Sequence, residues 1–151
     1  MKSVRKRLTV HPKFYFFDTG VTNAINHRLS AQLDSVIKGR LFEQWLILET
    51  HRMISYKNSE ARMFYWRTNN DVEVDLLIEK HGKIRGAFEF KSSHNISGRD
   101  AAGLRSFSGE RENKAVPLYI VGDIEDSYSM DSVNVISWKL YLENVLPEIL
   151  K

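Results

Sequence analysis

Apolar positions follow two periods along this chain, one helical and one of strands. GRLFEQWLILETHRMISY, from Gly39, is made of good helix formers with no proline and no glycine after its first residue, and predicts a long helix. Leu41, Phe42, Trp45, Leu46, Ile47, Leu48, Met53 and Ile54 cannot share one stripe, so the helix is expected to be largely buried. Glu43 lies in a row with Leu46, Ile47, Thr50 and Ile54, which points it inward. After KNSEAR come three strand-like segments, MFYWRT, VEVDLLIEK and IRGAFEFKSS, separated by the turn signals NND and HGK. Ser97 is placed to cap a helix running to about Phe107. VPLYIVG (116–122) and NVISW then read as strands, and Ser137 as the cap of a helix to about Val145. Upstream, KFYFF (13–17) reads as a short strand or extended entry. Asp18 of the following DTG reads as a helix cap rather than a catalytic group, and 23–35 as a short helix or a loop. The order helix, three strands, helix, two strands, helix predicts one α/β domain over 13–151, with a central mixed sheet flanked by helices.

Four charged residues break the apolar pattern of these strands. Alternate strand residues share a face, so Phe88 and Phe90 point to one side of their strand while Ala87, Glu89 and Lys91 point to the other. Glu73, Asp75 and Leu77 share a face of the preceding strand. Neighbouring strands lie about 4.8 Å apart, close enough for Asp75 and Glu89 to approach one point. Bare carboxylates there would repel each other. A hard cation removes that penalty, and Mg2+ or Mn2+ is commonly held by one or two carboxylates with water and phosphate oxygens. Glu43, if its helix crosses this sheet, would complete a metal set of Glu43, Asp75 and Glu89, with Lys91 alongside. Such a cluster suits metal-assisted phosphodiester hydrolysis: the cation activates a water and the ammonium orients it or stabilises developing charge.

Composition narrows the alternatives. The 151-residue chain has no cysteine, which excludes disulfides, thiolate catalysis and Cys-ligated metals and makes an intracellular, cytoplasmic setting the expected one. No signal-peptide pattern and no bilayer-length apolar run is seen, so no membrane partner is expected. Of 22 basic residues, Lys2, Arg5, Lys6, Arg7 and Lys13 fall in the first thirteen positions, where there is no acid; the rest of the chain carries 17 basic against 19 acidic side chains. Residues 1–12 therefore read as a basic tail. Either Lys2, Arg5, Lys6 and Arg7 bind DNA phosphates, or the segment is a solvated linker between domains. His11, His27, His51, His81 and His94 have no metal-ligand spacing, and no G-x-S-x-G elbow is present. Trp66 and Arg67 offer stacking and phosphate contact, though an aromatic at a strand end is more commonly core. Arg99 and Arg105, after the Glu-x-Lys strand, are either phosphate contacts or ordinary solvated arginines.

A helical Glu43, then Asp75, then Glu89-Phe90-Lys91 resembles the active-site signature of the PD-(D/E)XK nuclease superfamily, which includes restriction endonucleases and Holliday-junction resolvases. KFYFFDTG, GRLFEQWL, FYWRTNNDVEVDLLIE and FEFKSS, in this order, resemble the DUF4143 domain found C-terminal to predicted ATPases of the AAA+ class. The resemblance covers about Lys13 to Phe107. It implies a restriction-endonuclease-like core, a site at Glu43, Asp75, Glu89 and Lys91, an AAA+ ATPase as partner domain, and dimeric action as in resolvases. The P-loop pattern G-x-x-x-x-G-K-[ST] is absent from this chain. Two functions are compatible with these features: a Mg2+-dependent DNA endonuclease or resolvase-like domain, and a non-catalytic DNA- or protein-binding module of the ATPase.

Overall fold

Asp34 starts the first helix: its Oδ1 accepts the Ile37 N–H at 2.8 Å, and α1 runs Ser35–Tyr56 in a computed structural model that describes residues 32 and 34–151. The helix thus begins four residues before Gly39, which is accommodated in its second turn. Only Gln44, Leu46, Ile47 and Thr50 of α1 are buried. Leu41, Phe42, Trp45, Leu48, Met53 and Ile54 are half-buried, so the expected burial round the whole circumference reduces to one face. The readings of the tail Lys2, Arg5, Lys6 and Arg7, of KFYFF and of Asp18 lie outside the described residues.

Three strands follow as a meander, β1 (Arg62–Arg67), β2 (Glu73–Lys80) and β3 (Lys83–Lys91). His81 and Gly82, at φ 54° and 76°, form the two-residue β2–β3 turn, with Lys80 opposite Lys83. A 3-10 turn (Gly98–Ala101) leads into α2 (Ala102–Gly109), and a second (Arg111–Asn113) into β4 (Leu118–Gly122), β5 (Tyr128–Met130) and β6 (Val133–Ser137). The sheet order is β1-β2-β3-β4-β6-β5. β3/β4 and β4/β6 are parallel and the other pairs antiparallel, giving an α/β fold with a six-stranded mixed sheet flanked by helices. Strand β5 has no counterpart in the sequence reading. It is three residues on the sheet edge, joined to β6 through Asp131 and Ser132, both at positive φ.

The sheet separates two cores. On one face Leu46 and Ile47 of α1 meet Leu76, Ile78, Phe88 and Phe90, together with Tyr141, Leu146 and Leu150 from the C-terminal helical run. On the other, Leu104 and Phe107 of α2 meet Trp66, Val74, Leu77, Ala87, Val133 and Val135. The C-terminal run starts at Ser137, whose Oγ accepts the Leu140 N–H, as expected. It continues past Val145 to Leu150: a π turn over Tyr141–Val145 precedes Pro147, which lacks an N–H and would crowd a regular helix.

Candidate active site

Between Phe64↔Leu77 and Trp66↔Val74, strand β1 has one residue, Tyr65, and β2 has two, Asp75 and Leu76. This β-bulge places Val74 and Leu77 in the same core although they differ in parity. On its other side, β2 pairs with β3 only as far as Leu76↔Phe88. Beyond that point the Phe90 N–H is taken by the Asp75 side chain, Oδ2 at 2.9 Å. A carboxylate thus replaces a ladder carbonyl where the strands diverge, at the C-terminal end of β3, and the local break in the sheet creates the site.

Glu89 is 6% exposed and Asp75 8%. Burial pushes the Glu89 carboxyl up to about 9, with further upward pushes from the Asp75 charge and a side-chain hydrogen bond to Asp75. Lys91 pulls the other way; its Nζ lies 3.8 Å from Glu89 Oε2, and Glu73 adds a small upward push. At neutral pH Glu89 therefore keeps its proton beside Asp75. Helix α2 closes on the pair at Gly103. A Cβ there would lie 2.7 Å from Glu89 Oε1 and 2.0 Å from the Glu73 carbonyl oxygen, so only glycine allows the helix this close.

Asp75, Glu89 and Lys91 open into a cleft of about 580 Å³. Glu43 of α1 lines it too, half-buried, along with Arg40, Glu73, Ser92, Ser93, Arg99 and Asp100. All four sequence-selected residues thus reach one cleft. No group of three or more His, Cys, Asp and Glu side chains among the described residues is arranged to hold a metal ion. The pair brought into direct contact is Asp75 and Glu89, and Glu43 lines the same cleft. As donors, two adjacent carboxyls, one of them holding a proton, fit a hard divalent cation, which would replace that proton as neutralising charge with water and phosphate oxygens as its other ligands.

The remaining candidates divide cleanly. Trp66 is 2% exposed and packs edge-on against Phe107 at 5.7 Å, so its face is closed to stacking. Arg67 pairs with Asp71 and Arg105 with Asp131, whereas Arg99 lines the cleft. His51 is exposed; His81 pairs with Glu60 on the surface and His94 meets Asp123. His11 and His27 lie outside the described residues. Sequence reasoning missed Gly103, the Phe90 N–H and Arg40. The run Ala101-Ala102-Gly103 opening a helix after the Glu-x-Lys strand was the available signal for close helix approach.

A family model described as a domain of unknown function, DUF4143, matches residues 38–141. An uncharacterized protein of Mycobacterium bovis and another of Mycobacterium tuberculosis are each 29% identical to the chain over 98 residues, covering 63% of it. The match covers 21% of each relative, so the chain corresponds to about a fifth of their length. No solved structure matches the chain. No described helix is long and apolar enough to cross a membrane.

Proposed function

The chain belongs to the DUF4143 family, and from that membership and the Asp75–Glu89 pair we propose a Mg2+- or Mn2+-dependent DNA endonuclease or resolvase-like domain of the PD-(D/E)XK type. The observation that carries this reading is a buried carboxyl pair opening with Lys91 into a cleft. Burying two such groups side by side costs several kcal/mol when both are ionised, a cost that a bound divalent cation would offset. A restriction-endonuclease-like core is supported by α1 and α2 on opposite faces of a sheet in which an antiparallel meander continues into parallel β4. The greater length of the relatives supports a domain working beside another, for which the AAA+ ATPase is our candidate.

In this reading the Phe90 N–H fixes Asp75, and Gly103 lets α2 hold Glu89 against it. The pair must release its proton to take the cation, so affinity rises with pH. A bound Mg2+ or Mn2+ supplies Lewis-acid polarisation and a water of lowered pKa. Lys91 donates a hydrogen bond to the attacking water or to the phosphate oxygens as a P–O bond forms and the ester P–O bond breaks. Glu43 contributes through water from its place on the cleft wall.

A second reading, a non-catalytic DNA- or protein-binding module, is favoured by the pair being satisfied by its own proton and the Phe90 N–H. Calorimetry with Mn2+ separates the two. The nuclease reading expects binding by the wild type that is lost in Asp75→Asn; equal heats, or none, overturn it.

A further inference from the structure

The cleft has two cations with no role in the chemistry above. Arg52, Arg67 and Arg105 are each tied to a carboxylate, of Glu49, Asp71 and Asp131. Arg40 and Arg99 are exposed, line the cleft and form no ion pair among the described residues. They come from opposite sides of the sheet: Arg40 from α1, which packs on one face, and Arg99 from the turn leading into α2, which packs on the other.

The turn that carries Arg99 is also held in place. Its neighbour Asp100 accepts from the Ser97 N–H at 2.8 Å and the Ser97 hydroxyl at 3.2 Å, so that carboxylate is directed into the turn. Arg105 donates to the Gly98 carbonyl at 3.0 Å while anchored to Asp131 at 2.9 Å. The turn is pinned from two sides, and the guanidinium between them has no ion-pair partner among the described residues.

We infer that Arg40 and Arg99 each hold a phosphate of one nucleic-acid strand laid across the end of the sheet, flanking the phosphate presented to Asp75, Glu89 and Lys91. This rests on the nuclease reading. The acidic floor repels an isolated phosphate. A polymer with phosphates on both sides of the floor can meet both cations at once, and guanidinium is the side chain suited to gripping phosphate through paired N–H groups.

The test is DNA binding by fluorescence anisotropy across a salt series, with Ca2+ replacing Mg2+ to prevent turnover. It compares the full wild-type chain with Arg40→Gln, Arg99→Gln, the double variant, and Arg111→Gln, an exposed arginine outside the cleft. Each cleft variant is expected to shallow the slope of log K against log salt by about 0.7 on single strands or 0.9 on duplex, and the double variant by the sum. Arg111→Gln is expected to leave it unchanged. Wild-type slopes in both cleft variants, or an equal loss in Arg111→Gln, overturn the phosphate grip while leaving the nuclease reading standing. A wild type that binds no DNA overturns both.

Discussion

Glu89→Gln isolates the electrostatics of the site. In the unfolded chain the Glu89 carboxyl loses its proton near its ordinary value of 4.5, whereas in the folded protein it keeps it to about 9. Between those values the native state binds the extra proton, so stability falls as pH rises. The full contribution is present below 4.5, declines through the window, and levels off above 9. The slope is at most about 1.4 kcal/mol per pH unit, so raising the pH from 5 to 8 removes on the order of 2–4 kcal/mol. Glutamine keeps the volume and offers an N–H to Asp75 where the protonated acid offers its O–H, but has nothing to titrate. Urea unfolding in chelator should therefore give similar stabilities for both proteins near pH 5. Near pH 8 the variant should be ahead by that amount, or roughly 5–15 °C in Tm for a domain this size. Mn2+ should stabilise only the wild type. Parallel stability curves from pH 5 to 9 would refute the buried proton on Glu89.

Gly103→Ala puts a methyl against the Glu73 carbonyl and Glu89 Oε1, forcing α2 outward; a loss of about 1–3 kcal/mol in urea is expected, with a lower Glu89 pKa by carboxyl infrared titration as water enters. Unchanged values for both would show that the helix has room. Tyr141→Phe removes the 2.7 Å bond between its hydroxyl and Thr50 Oγ1 in a fully buried setting. Because Thr50 keeps its bond to the Leu46 carbonyl, the expected cost is only about 1 kcal/mol, with no change in metal binding by calorimetry.

Most of the architecture was legible because the strands are apolar runs bounded by turn signals and because Ser97 and Ser137 sit at or near real helix starts; Asp34, the cap of α1, was not, since the helical pattern was taken to begin at Gly39. Asp75, Glu89 and Lys91 stood out as charges in segments otherwise fit for a sheet interior. The bulge at Asp75–Leu76 was not legible, since it exists only relative to β1 and leaves no mark in the composition of β2. Strand β5 was too short for periodicity to reveal, and its turn at Asp131 and Ser132 lacks glycine. Glu43 lines the cleft half-buried; helical spacing gives a residue's neighbours on its own helix and not the depth at which that helix meets the sheet.

Lys91 is where the proposed chemistry meets its most direct measurement. The wild type and Lys91→Ala should be titrated with Mn2+ by calorimetry and assayed on branched and linear DNA, alone and with a cognate ATPase domain. The ammonium is half-exposed beside Glu89 and is no metal ligand, so metal affinity should be nearly equal in the two proteins. DNA cleavage should fall about 100-fold or more in the variant, the scale of losing one transition-state donor. A wild type that binds Mn2+ yet cuts no DNA under any of these conditions would contradict the nuclease assignment.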